Sequence, residues 1–403
     1  MKIVDVTEFY SERGGGVRSH LTARGHFLCQ LGHDHVVVAP GARDEDATVE
    51  QGVALSPAQA SGRSQGGRAR VVRIGGPALP YDRTYHLFTR PDKIGVRIAA
   101  ESPEVIEAHS PYLAALAVVL AGAPDRWLRT AFWHADHVGT YVEPAVRRYL
   151  GPVAAAAVTA PLWQFVRGLL SPFAATFVAG RAQAERLRSA GVHDVVHAPM
   201  GVDVATFRPS ARSDERRGEL LDGHRLDAAL LVGVGRFAVE KRWDVVLDAF
   251  GRLRARRDAV LVLFGDGPER ASLERSAPPG VRFVGFEKRR DRLASALASA
   301  DVLVHGCPFE TFGLGVAEAV ASGLPVVVPD AGGAAEGMDP SCGEAYRSLD
   351  AEACAEALVR ILSYDPQALR DRARQASTRV PTMAQHLATV LSTYEALLRE
   401  RRP

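Results

Sequence analysis

Ala300-Asp-Val-Leu-Val-His305, Glu310-Thr-Phe-Gly-Leu-Gly-Val-Ala-Glu318 and Gly323-Leu-Pro-Val-Val-Val-Pro329 follow one another along the chain. The first is an apolar run that reads as a strand end. The last reads as a second buried strand, and the segment between them as a Gly-rich turn opening a helix. A strand–turn–helix–strand unit aims the helix N-terminus, with its free N–H groups and positive dipole end, at whatever lies above the sheet. Gly313 and Gly315 let the backbone approach a phosphate. Glu310 stands just before the helix and Glu318 more than a turn inside it, two acceptors flanking an anion site. That arrangement suits a sugar–diphosphate–nucleoside.

Working outward, short apolar runs alternate with helical patterns in both halves of the chain. In the first half, strands are expected at Lys2–Val6, His35–Ala39, Val105–Ala108, Arg129–His134 and Ala175–Ala179. Helices are expected at Gly16–Leu31, Pro111–Ala121 and Ala182–Ala190, with an irregular Gly-, Pro- and Arg-rich stretch at Val49–Arg90. The alternation restarts near residue 205, with strands at Leu230–Val234, Ala259–Phe264, Arg282–Val284, Val302–His305 and Pro325–Val328. It predicts an α/β chain of two doubly wound, Rossmann-like domains, 1–205 and 206–383, facing across a cleft. The last helix, about 384–403, is expected to pack back onto the first domain.

At 403 residues, 47% hydrophobic and 24% charged, the chain is long enough for two cores and reads as globular. A formal net charge of +2 gives no reason to expect a nucleic-acid partner. Cys29, Cys307, Cys342 and Cys354 are scattered without metal-ligand spacing, which suits reduced thiols. The N-terminus runs straight into a strand, so a signal peptide is not expected. No apolar stretch reaches membrane-spanning length free of charge or proline, Val153–Ala160 coming nearest. The expectation is a cytoplasmic protein, with peripheral contact at the inner face of the membrane left open.

Gly235-Arg-Phe-Ala-Val-Glu-Lys241 joins a strand to a helix. Its two cations, Arg236 and Lys241, can close on one diphosphate, Arg as a planar fork and Lys as a point charge. A solvated basic turn is the plainer reading of that segment alone. Taken with Glu310 and Glu318, the segment resembles the C-terminal domain of retaining glycosyltransferases of family 4, which have the GT-B fold. Phe264-Gly-Asp-Gly-Pro268, Gly285-Phe286, Asp301, Pro199-Met-Gly-Val-Asp203 and Gly14-Gly-Gly-Val17 extend the resemblance over most of the chain.

The resemblance implies a hexosyltransferase that moves a sugar from a nucleoside diphosphate donor, UDP-glucose-type or GDP-mannose-type, to a hydroxyl acceptor. That acceptor could be a lipid, a polysaccharide or a small natural product. Arg236 and Lys241 would neutralise the diphosphate, Glu310 would hold the transferred sugar and Glu318 the ribose. Backbone groups of Phe312, Gly313 and Leu314 would meet sugar and phosphate, and Gly285 and Phe286 would lie beside the base. Gly15 and Gly16 would face the donor phosphates, and His134 would touch the sugar. Retention, no cofactor and no metal are implied, as is closure that slows donor hydrolysis. The competing expectation is a non-catalytic nucleotide-sugar-binding or partner subunit of the same fold.

Other residues are open to two readings. His134, Asp136 and His137 suggest either a metal or a packed strand end, and His109 packing or function. Asp44-Glu45-Asp46 has the form of a metal-binding Asp-x-Asp but reads better as a solvated acidic loop. Arg63, Arg68, Arg70 and Arg73, with Trp163, Phe165, Leu169, Leu170 and Phe173, admit an interfacial surface; a flexible loop and a core helix are the plainer readings.

Overall fold

The computed structural model describes residues 1–10, 15–48, 67–80, 82–121, 127–225 and 227–401. It divides into two compact units, Met1–Ala198 with Met383–Pro403, and Pro199–Thr382. The first boundary lies a few residues before the expected 205/206. Pro199 to Ala205 belongs to the second unit because the Val202 N–H donates to the Pro381 carbonyl at 2.9 Å and Val202 is buried in that unit's core.

Unit 1 holds β1 (Lys2–Val6), β2 (Asp34–Gly41), β3 (Glu45–Thr48), β4 (Ala69–Gly75), β5 (Val105–Ala108), β6 (Leu128–Trp133), β7 (Ala175–Val178) and β8 (Val195–His197). Their order in the sheet is β3-β4-β2-β1-β5-β6-β7-β8. All pairings are parallel except that of β3 with β4. The chain therefore works outward from β1 in one direction and from β5 in the other, which makes the β1/β5 gap a topological switch point. Side chains alternate along β1. Val4 and Val6 join the core formed with Val36, Val38, Ile106 and Trp133, while Asp5 turns to the other face. Helices Gly16–Gln30 and Met383–Glu400 pack together, and the latter also touches β6.

Several expectations for this unit need correction. Asp44-Glu45-Asp46 leads into the edge strand β3 rather than a free loop, and β4 lies inside the stretch read as irregular. Their alternating charged residues concealed them, because Arg70 and Asp46 pair with one another across β3 and β4. Arg63 and Gly14 lie outside the described residues. Helix Pro91–Glu101 also went unread. Trp163, Phe165, Leu169 and Leu170 belong to helix Glu143–Leu170, which is bent at Gly151. With its preceding turn, this span (Val138–Leu170) is long and apolar enough to cross a membrane by length and composition, although, as expected, it is not free of charge or proline: Glu143, Arg147, Arg148, Pro152, Pro161 and Arg167 lie within it.

Unit 2 holds β9 (Ala229–Val234), β10 (Ala259–Phe264), β11 (Val281–Gly285), β12 (Val302–Val304), β13 (Val326–Pro329) and β14 (Gly343–Tyr346). The order is β11-β10-β9-β12-β13-β14, parallel throughout. The near-continuous apolar runs Leu230–Val232, Val260–Leu263 and Val326–Val328 are buried, as a sheet covered on both faces requires. Here the switch point lies between β9 and β12.

Candidate active site

The loops leaving β9 and β12 carry the strongest sequence candidates, and the switch point sets them side by side. Gly306 makes the approach close. A Cβ there would lie 2.6 Å from the Arg242 carbonyl oxygen and 2.7 Å from that of Lys241. The Lys241 ammonium donates to Glu310 Oε1 at 2.5 Å, and His305 Nε2 lies 3.4 Å from the same oxygen. Burial pushes the Glu310 carboxyl up, but Lys241 and His305 outweigh it and hold it well below the ordinary carboxylate range. Lys241 is raised in turn, Glu310 overcoming the burial that would lower it. Burial and the Glu310 charge push the Cys307 thiol up to about 12, so it stays protonated. Arg236 is half-buried in the β9 loop, and its carbonyl accepts the Trp243 indole N–H at 2.9 Å.

Helix Leu314–Ala321 starts from Gly313, whose φ of 80° is the left-handed value glycine tolerates without strain. The first N–H groups of a helix have no intrahelical acceptor, so this end offers donors beside Glu310. Phe312 and Leu314 flank the turn, both half-buried. Glu318 lies within the helix, almost fully buried, and its Oε1 pairs with Arg290. Burial raises the Glu318 carboxyl and Arg290 opposes that rise. The Arg290 guanidinium also sits 4.5 Å from the Phe207 ring centroid. Arg290 was not foreseen, although Lys288-Arg289-Arg290 stood in the sequence three residues beyond Gly285. Gly285 ends β11 and Phe286 follows it, two strands from β9 and so about 10 Å across the sheet from it. Phe286 is open to solvent.

Unit 1 has its own polar centre at the carboxyl ends of β1, β5 and β6. His134 Nε2 lies 2.8 Å from His109 Nδ1, and His109 Nε2 lies 3.3 Å from Asp5 Oδ1 and 3.2 Å from Glu107 Oε1. Burial, with His109 and His386 nearby, keeps His134 well below the ordinary histidine range. Arg24, fully buried, closes the cluster. It donates to Glu107 at 2.7 Å and to the Tyr394 hydroxyl at 2.7 Å, and its Nε lies 3.2 Å from Asp5. His109 thus orients His134, and the last helix supplies Tyr394. Only His134 and His109 had drawn attention in the sequence, because Asp5, Arg24 and Tyr394 are isolated in it. Gly15 precedes helix Gly16–Gln30 with φ 125°, and a side chain at Gly16 would meet nothing within 4 Å.

The metal readings of the sequence find these groups otherwise engaged. Asp136 pairs with Arg186 and accepts from the Gly139 N–H, while His137 stacks on Tyr112. Asp44 pairs with Lys93, and Asp46 with Arg70 and Arg97. Two further groups, His305–Cys307–Glu310 and Asp5–Glu107–His109, have metal-like spacing among the described residues. Lys241 occupies the carboxylate of the first and Arg24 those of the second.

Comparison with known proteins agrees with this architecture. Residues 14–206 match the family described as Glycosyltransferase Family 4, and residues 228–364 the one described as Glycosyl transferases group 1. The chain is 30% identical to a GDP-mannose-dependent alpha-(1-6)-phosphatidylinositol dimannoside mannosyltransferase of Mycobacterium tuberculosis, over 98% of this chain and 97% of the relative. It is 32% identical to a GDP-mannose-dependent alpha-mannosyltransferase of Mycolicibacterium smegmatis, over 88% and 86%. Sucrose-phosphate synthase from Thermosynechococcus elongatus superposes with a TM-score of 0.77 at 17% identity, over 99% and 100% of the two chains, a likeness of fold. The chain belongs to glycosyltransferase family 4 and is a nucleotide-sugar-dependent glycosyltransferase of the GT-B fold.

Proposed function

We propose that the chain transfers a mannosyl unit from GDP-mannose to a hydroxyl of a lipid-linked acceptor, with retention at the anomeric carbon and without a metal ion. The observation that carries the reading is the Lys241–Glu310 pair at the β9/β12 switch point. The donor is supported by the names of the mannosyltransferase relatives. The lipid is supported by the phosphatidylinositol acceptor named for the relative that aligns over nearly the whole chain.

In this reading the donor diphosphate takes Lys241 and Arg236, and Glu310, released, accepts from hydroxyls of the sugar. Glu318 offers the ribose the oxygen that Arg290 leaves free. The N–H groups of Phe312, Gly313 and Leu314 meet sugar and phosphate, and Phe286 beside Gly285 lies against the base. Gly15, Gly16 and His134 are further substrate contacts. The bond from C1 to the β-phosphate oxygen breaks, and a bond from C1 to the acceptor oxygen forms on the same face. The acceptor proton passes to the departing phosphate. Negative charge grows on the diphosphate as the sugar becomes oxocarbenium-like, and fixed cations beside it stabilise that state. Metal independence is supported by chemistry: Arg236 and Lys241 supply at the diphosphate the positive charge that a metal ion would otherwise bring.

The test is nucleotide release from GDP-mannose and UDP-glucose in chelator, with and without a phosphatidylinositol mannoside, and NMR of the product linkage. Acceptor-dependent GDP release with an α-linked product is expected. Turnover of UDP-glucose alone, or a β-linked product, overturns the reading.

A further inference from the structure

Helix Glu143–Leu170 has two unlike faces. Ala155, Thr159, Val166 and Leu170 are buried with Trp163 half-buried among them, spaced by three or four residues, and Val166, Leu169 and Leu170 join the core that contains Trp133. The other face is bare: Tyr149 is 78% exposed, Leu150 68%, Val153 84% and Phe165 55%. No charged side chain occurs from Tyr149 to Val166, where the solvent side of a helix ordinarily carries several. Gly151, at φ 82°, kinks the helix, so that Tyr149, Leu150 and Val153 bracket a corner. Arg147 and Arg148 precede the bare face and Arg167 follows it. Among the described residues no carboxylate lies within ion-pair distance of these three, and the nearby Glu143 pairs with Arg186. A contiguous exposed apolar face of this kind marks an interaction site.

We propose that this face docks on an anionic bilayer surface, lying in its plane with Tyr149, Leu150, Val153 and Phe165 in the acyl boundary and the arginines on lipid phosphates. The charge at both ends selects this occupant, because basic flanks beside an apolar face match anionic lipid. In an antiparallel two-fold pairing of this face with a second copy, Arg147 and Arg148 would meet the other copy's Arg167, like charge on like. The helix lies on the membrane rather than through it, because its other face is packed into unit 1. The inference is independent of the acceptor assigned above, and its test contains no glycolipid.

The test is flotation of the full chain with vesicles of phosphatidylcholine alone, and of phosphatidylcholine mixed with phosphatidylglycerol, at low and high salt. Binding to the mixed vesicles that weakens with salt is expected. Arg147→Ala and Arg148→Ala should each weaken partitioning about fivefold. The double variant Val153→Glu/Phe165→Glu should abolish it while the thermal midpoint of both sets stays unchanged, which separates lost docking from lost folding. Absence of binding to the mixed vesicles, or equal binding to both kinds, overturns the proposal. So does a lipid-free dimer that Val153→Glu/Phe165→Glu dissociates.

Discussion

Glu310→Gln keeps the shape of the side chain and removes its charge, and the Lys241 contact fixes the sign of the consequence. In the free protein Glu310 holds the ammonium that the proposed donor diphosphate needs, so carboxylate and diphosphate compete for one cation. With side chains only 22% and 18% exposed, the pair is poorly screened. A hydrogen bond between charged groups is worth about 1.5–3 kcal/mol. Glutamine still offers an oxygen to Lys241 and keeps part of that, leaving about 1–2 kcal/mol for the diphosphate, a five- to thirtyfold tighter GDP complex. Transfer should nevertheless fall by roughly a hundredfold or more, because the charge that receives the sugar is gone. Calorimetric titration of GDP into wild type and variant, with initial transfer rates, reads both quantities. GDP binding that is unchanged or weaker in a folded Glu310→Gln variant refutes the competition.

Lys241→Ala should do the opposite and weaken GDP, measured by the same titration. Tyr394→Phe removes the hydroxyl that Arg24 donates to and that donates to Glu107, both at 2.7 Å in a fully buried cluster. Chemical denaturation should show a loss of about 1–3 kcal/mol. His20, in helix Gly16–Gln30 with its ring 5.4 Å from that of His134, and His134 itself are held well below the ordinary histidine range, mainly by burial. The unfolded chain binds their protons near pH 6.5 and the folded one does not, so stability is present above that pH and falls as pH drops through it, by up to about 1.4 kcal/mol per pH unit for each group. His20→Leu should flatten the thermal midpoint between pH 7 and pH 5, and an unchanged slope counts against it. Arg290→Leu removes the cation opposing the rise of Glu318, so the donor KM should increase, and more at pH 6 than at pH 8.

What the sequence made legible follows from which physics is local. The strands of unit 2 are apolar runs punctuated by glycine, and their residues declare themselves without reference to partners. So do Arg236, Lys241, Glu310 and Glu318, which cluster in two short segments. Strands β3 and β4 do not, because an edge hairpin that pairs Arg70 with Asp46 looks polar until the pairing is known. The partners of the site residues are non-local in the same way. Arg290 reaches Glu318 from another helix, His109 reaches His134 across adjacent strands, and Tyr394 reaches Arg24 from the far end of the chain. The bare face of helix Glu143–Leu170 was hidden for a related reason. Hydrophobic content shows in a sequence, but which side a core covers does not.

The central claim, that the Lys241–Glu310 pair is the donor centre, is tested most directly by a crystal structure with GDP bound. The account predicts phosphate oxygens within hydrogen-bond distance of Lys241 Nζ and the Arg236 guanidinium, with the Lys241–Glu310 contact opened. GDP bound elsewhere, with that contact intact, would contradict it.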